Sequence, residues 1–379
     1  MGSLLHARTG PLQPSSLWLV DQCAARYLLQ TEKTGAERLR ESALALLGSA
    51  IHRAWKGCSG STPAQFAALA LDELRQEWEE VRPSWAIGAF AVGLPLPRTI
   101  LNVRLGRAAR LAQGNRRPVT RARDRTQERG FSDVVQVGRE IGLGSPTRSL
   151  AGVVDELRWV AARRMLVIER KTGPVLLQPG EPRPAARMQL LAYGLLVQDC
   201  SAAIEIELKL EGLDGSWGAR FDAALAQEAH RRVTAAEEQL PLGEKLHVES
   251  LATPGGHCAS CQFRISCAEY KCWAEHKWLT ETGGQALPLD TWGEVIGIQE
   301  SGSQLIDVRL RDAVGRLVCV RAIPVGLLDA LPAPGSRLEC YELHSLERLR
   351  TGRHPQNFIV WDAGRPARSA LAARVKGAG

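Results

Sequence analysis

No apolar run in this chain of 379 residues reaches the roughly 18–20 residues that a membrane-crossing helix needs, so no helical span is expected. The opening stretch MGSLLHARTGPLQPSSLWLV lacks the charged segment followed by a long apolar one that marks a secretion signal. A cytoplasmic location is the expectation. The ATP-binding loop pattern G-x4-G-K-[ST] is absent, so any motor acting with this protein would be a separate chain. There is no internal repeat. Hydrophobic residues make up 45% and charged residues 23%, a globular balance that excludes wholesale disorder. The length points to two compact units.

The formal net charge is +7 and the pI about 9.1, which favours polyanionic partners such as nucleic acid without requiring one. The nine cysteines are an odd number, and without a secretion signal they do not read as disulfides. Cys258, Cys261, Cys267 and Cys272 crowd together, while Cys23, Cys58, Cys200, Cys319 and Cys340 are scattered. Such crowding points to a metal.

Helical spacing predicts helices over about 16–30, 36–57 and 63–81, the second carrying Gly48 and His52. An irregular arginine-rich segment, an insertion over about 95–129, follows with Arg104, Arg107, Arg110, Arg116, Arg117, Arg121, Arg123 and Arg125. It is either a solvated loop or a phosphate-binding one. Three runs, VVQVGREIGL, SLAGVVDELRWV and RMLVIERKTG, read as strands. A helix at AARMQLLAYGLLVQD, a strand at AAIEIELKLEG and a helix at FDAALAQEAHRRVTAAEEQL complete an α/β core of a mixed central sheet flanked by helices. After about residue 285, WGEVIGIQE, QLIDVRLRD, RLVCVRAI, RLECYEL and NFIVWD predict a five-stranded OB-like barrel, an SH3-like one being the alternative. Tyr341, Phe358 and Trp361, with Arg309, Arg316, Arg321, Arg348, Arg350 and Arg353 nearby, would suit stacking on single strands. Core aromatics in a docking module are the competing account. The expected domains are 1–284, 285–363, and a loose basic tail over 364–379.

The central text is Gly152-Val-Val-Asp155 followed by Leu166-Val-Ile-Glu169-Arg170-Lys171. On adjacent strands Asp155 would lie beside Glu169, and period-2 alternation puts Glu169 and Lys171 on one face. Two carboxylates, with the Arg170 carbonyl, make a hard oxygen site suited to Mg²⁺ or Mn²⁺. Lys171 would hold the attacking water or offset developing phosphate charge. A surface ladder of salt bridges would use the same residue types. Against it, both acids end apolar runs, AGVV and MLVI, that read as buried strands.

These motifs resemble the RecB-like branch of the PD-(D/E)xK nucleases, over roughly Ser16 to Cys272. GSAIH is similar to the family's first motif, which would make His52 a metal ligand. Asp155 and the pair Glu169 and Lys171 resemble the second and third motifs. Gln189-Leu-Leu-Ala-Tyr193 resembles the Q-x3-Y helix, with Gln189 and Tyr193 on one face. About a hundred residues separate His52 from Asp155, a departure to which the arginine-rich insertion contributes.

Cys258-x2-Cys261-x5-Cys267 supplies three thiolates, and a 4Fe–4S cluster needs a fourth. The resemblance assigns that role to Cys23. The arrangement is similar to the iron–sulfur nucleases of CRISPR adaptation and of eukaryotic end resection. Zinc, a mixed site with His257, or Cys272 in place of Cys267 stay open. The resemblance implies a metal-dependent deoxyribonuclease acting on single strands or ends in repair, recombination or anti-phage defence, with a helicase or ATPase as partner. The alternative is a non-catalytic nucleic-acid-binding scaffold that keeps the fold.

Overall fold

The computed structural model describes residues 4–6, 8–31, 43–57, 62–81, 98–114, 137–161, 163–201, 205–212, 214–280, 290–302, 304–328, 330–341, 343–345, 359–362 and 372–376. Two compact units emerge, one from residues 1–35, 51–69 and 102–253, the other from 36–50, 70–101 and 254–379. The described helices are α1 (Leu17–Gln22), α2 (Ala24–Thr31), α3 (Ala43–Gly57), α4 (Pro63–Val81), α5 (Arg98–Gly114), α6 (Pro184–Cys200), α7 (Ala223–Gln239) and α8 (Ala268–Thr280). None is long and apolar enough to cross a membrane.

Strands β1 (Leu4–His6), β2 (Gly138–Gly144), β3 (Ala151–Ala161), β4 (Arg164–Arg170), β5 (Leu176–Gln178), β6 (Glu181–Pro182), β7 (Glu205–Gly212), β8 (Gly215–Arg220) and β9 (Lys245–His247) belong to the first unit. Its sheet runs β2-β3-β4-β7-β8, with β4 and β7 parallel and every other pair antiparallel. Helix α6 joins the parallel pair, as such a connection requires. Met165 and Val167 on β4, and Ile206, Leu208 and Leu210 on β7, alternate onto the face that α6 covers. Helix α6 is apolar nearly all round, so it is a core helix, and Pro184 occupies its first turn, where a missing N–H costs nothing. α7 starts at Asp222, whose side chain accepts from the Leu225 N–H at 2.9 Å. β1 pairs with β9, tying the two ends of the unit together.

Several expectations are corrected. The helix over 16–30 is two, broken at Cys23, whose backbone is extended. The segment expected to be irregular contains α5, where Leu101, Leu105, Ala108 and Ala109 form a buried helical stripe between the arginines. Arg116, Arg117, Arg121, Arg123 and Arg125 lie outside the described residues. Strand β8 was not expected, because GSWGAR is poor in β-formers; pairing to β7 imposes it.

In the second unit, β10 (Thr291–Gly302), β11 (Leu305–Asp312), β12 (Leu317–Pro324), β13 (Arg337–Tyr341), β14 (His344–Ser345), β15 (Ile359–Asp362) and β16 (Ala372–Lys376) form one curled sheet, ordered β14-β15-β12-β11-β10-β13-β16. Val295, Val308, Leu310, Val318, Val320 and Leu338 fill its core. β16 pairs with β13, so the tail expected to be loose contributes a strand. Tyr341 is fully buried against Trp292 and donates to Glu339 at 3.0 Å, which removes it from any base-stacking surface. Phe358, Arg348, Arg350 and Arg353 lie outside the described residues.

Close packing at the start of β3 depends on one glycine. A Cβ on Gly152 would lie 2.7 Å from Pro14 Cδ and 3.2 Å from Tyr193 Cε1. Gly152→Ala is expected to lower stability by about 1–3 kcal/mol, read as a shifted urea midpoint. A midpoint equal to that of the wild type would show that the Pro14 turn and α6 yield freely.

Candidate active site

Strand β3 pairs with β4 through Glu156↔Ile168 and Leu157↔Val167. Continued by one residue, that register sets Asp155 opposite Glu169. Both acids point to the α6 face, as Val167 does, and Lys171 follows just beyond the end of β4. The expected convergence of Asp155, Glu169 and Lys171 is present in the fold.

Each group is held by named partners. Asp155 Oδ2 accepts from the Arg170 backbone N–H at 2.6 Å. Lys171 Nζ lies 2.8 Å from Glu169 Oε1 and donates to Gln189 Oε1 at 2.6 Å. Gln189 Nε2 returns a bond to Glu169 Oε1 at 2.8 Å. Tyr193 OH donates to the Val153 carbonyl at 2.7 Å and accepts from Gln189 Nε2 at 3.4 Å. Gln189 and Tyr193 therefore share the α6 face that closes over the two acids, as their spacing implied.

Glu169 is 2% exposed, and its Oε2 has no hydrogen-bond partner. A buried carboxylate oxygen in that condition costs free energy unless a proton or a cation satisfies it. Burial pushes Glu169 up to about 7; Lys171 pulls it down, and Asp155 and Glu140 push it further up. Asp155 is also raised, by burial first, against the pull of the Arg170 N–H, His52 and Lys171. Burial also raises Tyr193, with Glu169 adding to it, so Tyr193 stays a neutral phenol.

His52, on α3, is half-buried with its ring edge-on to Trp55 at 5.0 Å, and it acts electrostatically on Asp155. Glu140, on β2, acts on Asp155, Glu169 and Tyr193. Sequence reasoning marked its strand but passed over the residue.

Arg170 turns the other way. Its guanidinium, 6% exposed, meets Glu156 at 2.7 Å and Glu211 at 3.0 Å on the opposite face of the sheet. Burial raises the carboxyls of Glu156 and Glu211, but their basic neighbours outweigh it and hold both low.

Two carboxylates and an imidazole are a donor set for a hard or borderline divalent cation, and the orphan Glu169 oxygen fits one. Among the described residues, no three His, Cys, Asp or Glu side chains are already gathered into a closed cage. A bound cation would therefore draw these donors together.

The cysteine segment belongs to the second unit. Cys258 and Cys261 are buried, and their charges act on Cys267, whose thiol burial pushes up to about 12. Backbone N–H groups of Gly255 and Tyr270 point at the sulfurs of Cys258 and Cys267, both at 3.4 Å. Such a thiol ionises only with a cation to hold it, which suits a soft metal. Cys272, on α8, is exposed. Cys23 lies half-buried in the first unit.

A search among curated proteins gives no significant match. A profile of the PD-(D/E)XK nuclease superfamily matches residues 11–268. That span takes in more than half of the chain, including both acidic strands and α6, and the chain belongs to the PD-(D/E)XK nuclease superfamily.

Proposed function

We propose that this protein is an Mg²⁺- or Mn²⁺-dependent deoxyribonuclease of the RecB-like branch, acting on single strands or DNA ends. The observation that carries the reading is the buried, orphaned Glu169 oxygen across the strand pair from Asp155, with an ammonium beside it. Asp155, Glu169 and His52, with the Arg170 carbonyl, would hold the cation. When bound, such an ion lowers the pKa of a water and polarises a phosphoryl oxygen, the two services phosphodiester hydrolysis needs. Lys171 Nζ, fixed by Glu169 and Gln189, orients that water or offsets charge developing on the phosphate. Tyr193 anchors α6 to the Val153 carbonyl and so fixes the height of Gln189 above the acids.

Further parts of the reading rest on the resemblance. Cys23, Cys258, Cys261 and Cys267 would hold a 4Fe–4S cluster, and the electrostatic influence of Cys258 and Cys261 on Cys267 supports that reading. The C-terminal sheet is read as an OB-like barrel. The parallel pairing of β12 with β15, and the pairing of β13 with β10 and β14 with β15, support a sheet that returns on itself. Work on DNA in repair, recombination or defence, with a helicase or ATPase as partner, is the part of the proposal that rests on the resemblance alone. A non-catalytic scaffold has less in its favour, since every expected reactive residue type is present and Asp155, Glu169 and Lys171 lie on adjoining strand positions.

Asp155→Asn and Lys171→Ala are each expected to cut Mn²⁺-dependent cleavage of labelled single-stranded DNA by roughly 100-fold or more. Inactivity of the wild type across Mg²⁺ and Mn²⁺ would favour the scaffold instead.

The Glu169 carboxyl also predicts how stability follows pH. Its pKa is near ~4.3 in an unfolded chain and about 7 in the fold, so between these values the folded state holds a proton that the unfolded state has released. Stability without metal therefore falls as pH rises from about 5 to about 7 and then levels off. Thermal unfolding in chelator should show this slope, Glu169→Gln should flatten it, and Mn²⁺ at pH 8 should restore the lost stability. An unchanged slope in Glu169→Gln would show that the carboxyl is not the source.

A further inference from the structure

On the face of the sheet turned away from α6, five charges of alternating sign cross three strands. Arg158 meets Glu156 on β3, and Glu156 meets Arg170 on β4 at 2.7 Å. Arg170 meets Glu211 on β7 at 3.0 Å, and Glu211 meets Lys209 at 2.7 Å. Each of the four carboxylate oxygens has a basic partner. The middle of the row is buried, with Glu156 2% and Arg170 6% exposed.

Stability alone does not account for such a row. A buried triad of charges exchanged for apolar side chains of similar volume often leaves a protein as stable or more so. Charges supply what apolar contacts lack, which is direction. A forked guanidinium fits its two carboxylates at one offset of the strands, whereas apolar side chains tolerate a slip. A slip of one residue moves every side chain to the other face.

The residues of the row are chain neighbours of the residues of the site. Glu156 follows Asp155, and Arg170 stands between Glu169 and Lys171. The backbone carries the connection: the Arg170 N–H donates to Asp155 Oδ2 at 2.6 Å, and the Lys171 N–H donates to the Glu211 carbonyl at 2.8 Å. Asp155 and Glu169 are like charges on neighbouring strands, which destabilises the pairing on their face. The Glu156–Arg170 pair draws β3 and β4 together on the other.

We propose that Arg170, held between Glu156 and Glu211, is a positioning residue of the active site. Its side chain fixes the offset of β3, β4 and β7, so that Asp155 and Glu169 stay at the separation one divalent cation needs. This rests on the cation-dependent nuclease reading, and it gives the Arg170 side chain a part separate from metal ligation and from contact with substrate.

The test sets Mn²⁺ affinity by calorimetry against melting temperature in chelator, on the full chain. The triple variant Glu156→Leu, Arg170→Met, Glu211→Leu replaces the middle of the row by apolar side chains and leaves Arg158 and Lys209, partly exposed at its ends, to water. It is expected to melt within about 5 °C of the wild type, the exchange being near neutral. Its Mn²⁺ binding is expected to be roughly tenfold weaker, as loss of a supporting group makes it. Arg170→Lys keeps the charge without the fork and is expected to weaken Mn²⁺ binding at an unchanged melting temperature. Wild-type Mn²⁺ affinity in Arg170→Lys and in the triple variant, with binding lost in Asp155→Asn, would overturn the proposal and leave the nuclease reading standing. A fall in melting temperature that accounts for the lost binding in both variants would make the row merely structural and overturn it too. If the triple variant does not fold, Arg170→Lys decides by the same two measurements. A wild type that binds no Mn²⁺ would remove this proposal and the cation-dependent reading together.

Discussion

The constraint on which the first unit turns is the burial of negative charge on two adjacent strands. Asp155 and Glu169 face each other at the end of apolar runs, burial raises the proton affinity of both, and the charge of Asp155 raises that of Glu169 further. What keeps the pair in place is a short chain of donors: the Arg170 N–H on Asp155, and Lys171 and Gln189 on one oxygen of Glu169. Helix α6 has to be buried, because it is apolar nearly all round, and its burial delivers Gln189 and Tyr193 onto the acids. The hydrophobic core thus positions the polar site, and the unsatisfied oxygen left over is where chemistry can enter.

The two faces of β4 handle charge in opposite ways. Behind the site, Arg170 is sandwiched between Glu156 and Glu211, and Lys209 adds a bond to Glu211 at 2.7 Å. That network pairs each acid with a base, so its carboxyls are held low, whereas the carboxyls in front are both raised, that of Glu169 to about 7. Removing one partner from a buried ion pair is severe, typically 3–5 kcal/mol, because the other charge is left uncompensated. Arg170 is therefore immobilised by its side chain on one face while its backbone N–H fixes Asp155 on the other. A residue whose expected part was its carbonyl turns out to brace the strand.

The motif-bearing strands and α6 were legible because period-2 and period-3.6 patterns there are backed by burial: Met165, Val167 and Glu169 on one face, Gln189 and Tyr193 one helical turn apart. What stayed hidden was set by partners distant in the text. Strand β8 exists because β7 offers it an edge, and α5 is masked by arginines that interrupt its apolar stripe. Tyr341 illustrates the same limit from the other side. Its place on an alternating strand did not say which face is inside, and packing on Trp292 decided it. Glu140 escaped notice because a left-handed residue inside a strand has no compositional mark when it is not glycine.

The second unit applies the same physics to thiols. Arg264, buried, bonds Asp290 at 2.8 Å and also donates to the Cys261 carbonyl at 2.9 Å, while Tyr270 OH donates to the same carboxylate at 2.5 Å. Lys271 meets the fully buried Glu339 of β13 at 3.1 Å, and Trp292 lies between Trp278, tilted against it, and Tyr341, stacked on it. The loop carrying Cys258, Cys261 and Cys267, with the helix after it, is thus fastened to Asp290 just before β10 and to Glu339 on β13 through buried charges. Because those contacts fix the backbone that presents the sulfurs, the geometry of the thiols and the folding of the sheet are not independent. Any metal the thiols hold stabilises the sheet by mass action, and damage to Asp290 or Glu339 reaches the thiols without touching them.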